Sequence, residues 1–170
     1  MAVRLVVLDC DLTLWDHPNV SELRSPFTRA NDETVADADG IQIRLFPGAR
    51  ALLEGLRERG VLISIASWNR PEPVFEILQL LNLADFFARP KVEFHPYKEK
   101  TIAALLDELR SEGIVLAPDE VLYVDDRAMH LRRVMAAVGP IHTLEMGRDI
   151  TELKQVLDFI KFPRWDGSGC

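Results

Sequence analysis

The sequence is poor in cysteine: Cys10 lies inside an apolar run and Cys170 at the terminus, so there is neither a disulfide framework nor a zinc-ligand spacing. No stretch approaches the roughly 20 apolar residues of a membrane-spanning helix, which speaks against a membrane partner. Met1 to Leu8 lack the basic region and long apolar run of a secretion signal. Basic excess is missing too, and a net charge of -7 disfavours a surface built to track nucleic-acid phosphates, so no nucleic-acid partner is expected. There is no Ser/Gly-rich or Pro-rich tract, no internal repeat and no linker, and nearly half the residues are hydrophobic. The expectation is an ordered cytoplasmic protein, with one domain over 1–165 and a flexible tail at 166–170.

What is present is an alternation. Val3 to Leu8, Val61 to Ile65 and Val121 to Val124 are short and rich in β-branched residues, as buried parallel strands are, and Ile141 to Leu144 is a further candidate. Between them, Ala49, Leu52, Leu53 and Leu56 recur at helical spacing, as do Val74, Ile77, Leu78 and Leu81. Ile102, Leu105, Leu106 and Leu109 repeat the pattern, then Leu131, Val134, Met135 and Val138. This predicts an α/β fold, a Rossmann-like, mostly parallel sheet with helices on both faces, whose ligands bind beyond the carboxyl ends of the strands. Residues 16–45 interrupt the rhythm. There Thr34 to Ala36 and Ile41 to Leu45 flank an Asp-Gly turn signal, which predicts a small β-hairpin flap over the strand ends.

The strand ends carry carboxylates. The first runs into Asp9-Cys10-Asp11, and two carboxylates so spaced face one space only if the strand breaks into a turn after Asp9. One can then attack phosphorus, forming an acyl phosphate, while the other moves protons. That much negative charge beside a phosphate calls for Mg²⁺, with Asp125 and Asp126 as further carboxylates. Ser67, just before a turn, is placed to hold phosphate oxygens, and either Lys98 or Lys100 to neutralise them. Taken singly, each has an ordinary reading as a turn, a cap or an exposed helix residue; their order along consecutive strand ends argues for a site. Cys10 is not a cysteine-phosphatase nucleophile, because Asp16 stands where such enzymes carry arginine. His17, His95, His130 and His142 show no paired ligand spacing and are read as surface or packing residues.

In this order, Asp9-x-Asp11-x-Thr13, Ser67, lysine, Asp125-Asp126, the chain resembles the haloacid-dehalogenase superfamily of aspartate-dependent phosphatases. Leu12 to Trp15, Pro26-Phe27, Thr34-Val35, Gly40, Ile43, Leu45 and Pro47 are similar to the magnesium-dependent phosphatase-1 family within it. The resemblance implies a core with no large cap domain. It implies Asp9 as nucleophile and metal ligand, Asp11 as acid/base and metal ligand through its backbone carbonyl, and Asp126 as the third ligand. Asp125 would then stand behind the metal, near Lys98 as the motif lysine. Cys10, Ser67, Trp68, Asn69, Arg70 and Lys98 would surround the phosphate. Relatives tend to have arginine directly after the motif serine, where this chain has Trp68 and reaches an arginine only at Arg70. Arg24, Arg29, Trp15, Phe27 and His17 are leaving-group contacts or, more ordinarily, surface charge and hairpin core.

The expected activity is hydrolysis of a small phosphorylated metabolite such as a sugar phosphate, or of phosphotyrosine. The alternatives are a phosphatase of polynucleotide ends, which the acidic balance disfavours, and a non-catalytic phospho-ligand module, which the intact aspartate pair disfavours.

Overall fold

The computed structural model describes residues 3–160. In chain order it contains β1 (Leu5–Leu8), β2 (Thr28–Asn31), β3 (Thr34–Ala36), β4 (Gln42–Arg44), α1 (Ala49–Glu58), β5 (Leu62–Trp68) and α2 (Pro71–Leu80). These are followed by β6 (Lys91–Glu93), α3 (Lys98–Ser111), β7 (Val121–Asp125), α4 (Ala128–Val138) and β8 (His142–Glu145), with short 3₁₀ turns between and after them. The tail expected at 166–170 lies outside the described residues.

The main sheet has the order β6-β5-β1-β7-β8, and each neighbouring pair is parallel. Alternation along β1 decides the layers. Leu5 and Val7 pack with Ile102 and Leu105 of α3 and Leu131 and Val134 of α4. Val6 and Leu8 pack on the other face with Leu52 and Leu56 of α1, Val74 and Ile77 of α2, and Leu153 and Val156 of the turn at 153–159. All four β1 side chains are fully buried, which is why the strand reads as one apolar run. The chain builds β5 and β6 on one side of β1, then β7 and β8 on the other. The order therefore reverses at β1, and the crevice at the strands' carboxyl ends lies beside Asp9 and Asp125.

Three details differ from expectation. β5 runs on through Ser67 and Trp68, because its end pairs with β6, a strand too short for periodicity to reveal. The excursion after β1 is a three-stranded antiparallel sheet, β2-β3-β4, rather than a two-stranded hairpin. Its extra strand β2 is exposed throughout and so has no apolar alternation to read. This sheet is also anchored: Val35 and Ile43 are fully buried in the cluster that holds Val6 and Leu8, and the Phe46 N–H donates to the Leu14 carbonyl at 2.8 Å.

Asp37 closes the β3–β4 turn. Its carboxylate accepts from the N–H groups of Arg24 at 3.1 Å, Asp39 at 3.0 Å and Ile41 at 2.8 Å. Burial works to raise its pKa, but the three N–H donors and the Arg24 charge hold it below the ordinary value of 3.8. A carboxyl depressed on folding contributes stability above its unfolded pKa and loses that contribution as pH falls through the folded one. Asp37→Asn is therefore expected to lower the urea midpoint at neutral pH, and the gap from the parent is expected to narrow at about pH 3. A gap independent of pH would show that the charge contributes nothing.

Candidate active site

The turn after β1 is what places the two aspartates together. The Asp9 N–H still donates to Val124 in the sheet at 3.0 Å, but the Cys10 carbonyl accepts from Thr13 at 3.1 Å and Leu14 at 2.8 Å, so the strand stops there. The stop puts Leu12 at φ 55. A non-glycine residue in that left-handed region costs on the order of 1–2 kcal/mol, a strain of the kind found at functional sites. The connections opposite are as short as they can be: β5 passes to α2 through Asn69 and Arg70, and β7 to α4 through Asp126 and Arg127. Each strand end therefore delivers its polar residues straight to the crevice.

Asp9 is buried and its Oδ1 accepts from Lys98 Nζ at 2.8 Å. The same ammonium donates to the Ala66 carbonyl at 2.6 Å and to Asp125 Oδ2 at 3.2 Å. Lys98 is 2% exposed, whereas Lys100 points outward with its Nζ 4.7 Å from the Tyr97 ring centroid. Of the two lysines, Lys98 is the one that reaches Asp9. Burial opposes its charge, but Asp9 and Asp125 outweigh it and raise the Lys98 pKa above 10.5.

Asp125 accepts four bonds from the protein. Its Oδ2 accepts from Lys98, the Tyr123 hydroxyl and His130 Nδ1, and its Oδ1 from the Arg127 N–H at 2.9 Å. Burial works against its charge, yet Lys98, His130, Tyr123 and the Arg127 N–H hold it well below the ordinary carboxylate range. Burial, then Asp125 and Asp9, push the Tyr123 phenol up, so it remains a donor. Asp9 moves the other way: burial first and Asp125 second raise it well above 3.8, with Lys98 only partly offsetting them. Burial and Asp125 raise Asp126 as well.

Carboxylate oxygens of Asp9, Asp125 and Asp126 lie within 4.8 Å of one another. Three carboxylates around one ammonium leave excess negative charge in a low dielectric. The donors are all hard oxygens, and Asp125 already accepts four bonds from protein donors, so Asp9 and Asp126 are the less engaged of the three. The set fits a small divalent cation with oxygen preference.

Beside this cluster opens a cavity of about 250 Å³ with Asp9, Asp11 and Lys98 at its base. Trp68, Phe94 and Pro18 give it an apolar wall, and Asn19, Arg127 and His130 complete it. Ser67 and Asn69 are buried behind this surface. Cys10 is fully buried; burial, Asp9 and Asp11 raise its thiol pKa, so no thiolate nucleophile forms. Arg70 is turned away from the cavity and binds the Ser21 carbonyl through Nε at 3.2 Å and Nη2 at 2.5 Å. The guanidinium facing the cavity is that of Arg127, 6.0 Å from the Trp68 ring centroid. Trp15 and Phe27 belong to the core, and Arg24 and Arg29 pair with Asp39 and Asp32.

Five lining residues, Pro18, Asn19, Phe94, Arg127 and His130, were not among the site candidates read from the sequence. His130 is 3% exposed and bonds Asp125, the packed rather than the surface one of the two roles expected of it, and its Nε2 has no partner among the described residues. The available signal was position: Arg127 and His130 follow Asp125-Asp126 within the entry to α4, where side chains turn back toward the strand end.

Residues 2–127 match the Acid Phosphatase family. Magnesium-dependent phosphatase 1 of Homo sapiens is 36% identical over 157 residues, covering 91% of this chain and 85% of that protein. Among solved structures, a haloacid-dehalogenase-superfamily hydrolase from Ehrlichia chaffeensis superposes with a TM-score of 0.66 at 14% identity, over 93% of this chain and 96% of that one. The N-terminal part of BF1531 from Bacteroides fragilis, containing a phosphatase domain complexed with Mg, gives a TM-score of 0.61 at 18% identity. This chain is covered to 93% in that comparison and spans 39% of the other. At such identities the two structures speak for the fold, and the family rests on the sequence matches. By those matches this chain belongs to the acid phosphatase family, together with magnesium-dependent phosphatase 1.

Proposed function

We propose that this chain is a magnesium-dependent phosphomonoesterase that works through an aspartyl-phosphate on Asp9. The observation that carries the reading is the buried contact of Lys98 Nζ with Asp9 Oδ1 at 2.8 Å, since Asp9 both lines the cavity and belongs to the cluster of three carboxylates. An Asp9 oxygen attacks phosphorus as the bond to the leaving oxygen breaks, and Asp11 gives that oxygen its proton. Asp11 then takes a proton from water as the water oxygen attacks the phosphorus, releasing inorganic phosphate and restoring the Asp9 carboxylate. Lys98 neutralises charge at Asp9, and the Ser67 hydroxyl supplies a donor to the phosphate oxygens. Asp9, Asp126 and the Asp11 backbone carbonyl would hold Mg²⁺, with Asp125 orienting Lys98 behind them. When bound, the ion supplies positive charge to the transferring phosphoryl group.

The substrate is a small phosphorylated molecule. Of the two classes considered, sugar phosphates and phosphotyrosine, the exposed faces of Trp68 and Phe94 beside the cavity favour an aromatic leaving group. Ring-on-ring contact contributes about 0.5–1.5 kcal/mol beyond area burial. The test is release of inorganic phosphate from paired aryl and sugar phosphates, with Mg²⁺ and after chelation. Chelation is expected to abolish turnover, and Trp68→Ala to lower kcat/KM for the aryl ester by about 2- to 12-fold while sparing the sugar ester. No release from any phosphomonoester would return the chain to a binding role, and equal losses on both esters would remove the aromatic preference.

A further inference from the structure

We infer that Asn69 is a positioning residue that orients the Asp11 carboxylate and ties it to the excursion between β1 and β2 through Ser21. The inference rests on the phosphatase reading above and assigns Asn69 away from substrate contact. Asn69 is 1% exposed, and every hydrogen-bonding group of its amide is engaged. Nδ2 donates to Asp11 Oδ2 at 2.9 Å and to Ser67 Oγ at 2.9 Å, while Oδ1 accepts from the Ser21 hydroxyl at 2.6 Å. The amide's orientation follows from its partners. The Ser21 Oγ already accepts from the Arg70 N–H at 2.9 Å, which leaves its proton for Asn69 Oδ1. Flipping the amide would set a carbonyl against the Asp11 carboxylate. Ser21 is itself held, because its carbonyl takes both bonds from the Arg70 side chain.

The other Asp11 oxygen is held from a different direction, since Oδ1 accepts from Trp15 Nε1 at 2.8 Å and from the Val20 N–H at 3.4 Å. A carboxylate offers about four lone-pair sites, so these bonds orient the group without using it up. The remaining lone pair, on Oδ2, carries the proton that Asp11 gives and takes. Asn69 thus links Ser67, behind the phosphate position, to Asp11 at the leaving group. The link also runs out to a segment whose residues Pro18 and Asn19 line the cavity. An aspartate at 69 would oppose Asp11 with like charge, and leucine would keep the volume and remove both donors.

A group that positions a general acid matters in proportion to the leaving group's need for a proton. 4-Nitrophenolate departs as an anion, whereas an alkoxide does not. The parameter kcat/KM counts the steps through cleavage of that bond. We would measure kcat/KM for the parent, Asn69→Leu and Ser21→Ala over a series of phosphate monoesters of rising leaving-group pKa, with thermal melts as a fold control. Asn69→Leu is expected to lose a few-fold on 4-nitrophenyl phosphate and about 100-fold on an alkyl phosphate, within the range that acid–base groups supply. Ser21→Ala should tilt the line the same way by about tenfold. If Asn69→Leu fails to fold, Ser21→Ala, altered at a half-buried site, decides the matter alone. An active parent whose variants give lines parallel to its own overturns the inference and leaves the phosphatase reading standing. A parent that hydrolyses no monoester overturns both.

Discussion

Asp9→Asn is expected to reduce phosphate release by about 10⁴-fold or more, the scale on which removal of a covalent nucleophile acts. The carboxamide is uncharged and a far weaker nucleophile, and no acyl phosphate forms on it. The change is also mild for the fold. Burial and Asp125 disfavour a charge at position 9, so the variant removes a repulsion, while Lys98 keeps Asp125 and the Ala66 carbonyl as partners. The melting temperature should therefore stay close to the parent's, which separates chemical loss from unfolding. The direct measurement is intact mass after acid quench of the enzyme during turnover. The parent should gain one phosphoryl group that Asp9→Asn and Asp9→Ala never acquire. Activity retained within tenfold in both variants, or an adduct that persists in them, would place the nucleophile elsewhere.

The second large effect falls on stability. Lys98→Met leaves Asp9 and Asp125 buried without their ammonium, and breaking a buried ion pair from one side costs about 3–5 kcal/mol. In a domain of this size that corresponds to a fall in melting temperature of roughly 10 °C. The sign with pH follows from Lys98 being raised above 10.5 in the fold: its contribution is complete below that value and is lost as pH rises through the folded pKa. The penalty should therefore be fully developed at neutral pH, and turnover should vanish with it. Lys100→Met, by contrast, loses an exposed contact with the Tyr97 ring worth about 0.5–1 kcal/mol. Paired melts at neutral pH check this. Comparable shifts for the two variants would mean that the buried network around Lys98 contributes little.

How much of this could be read in advance depends on the range of the signal. The parallel strands and the four helices were legible because burial on both faces or on one stripe writes itself into the nearest neighbours along the chain. The Asp9-Asp11 turn was legible because its chemistry sits within a few residues. Strand β2 was not, being exposed along its whole length, and neither was β6, being only three residues long. The missing β6 is also why the choice between Lys98 and Lys100 stayed open. Residues two apart on a helix point about 200° away from each other, but only the path from β6 into α3 says which of them faces the sheet. The contacts of Asn69 and His130 could not be read for a related reason. Their side chains act on Asp11 and Asp125, and for Asn69 the partner is 58 positions away in the chain.

The sequence by itself therefore determined the class of fold and the set of acidic residues from which a site could be made, since both depend on short-range pattern and spacing. The tertiary structure alone decided which lysine meets Asp9, which carboxylates are the less engaged and which amide holds Asp11. Those outcomes depend on how parallel strands distant in sequence align at their carboxyl ends, and that alignment is set by packing against helices on both faces of the sheet.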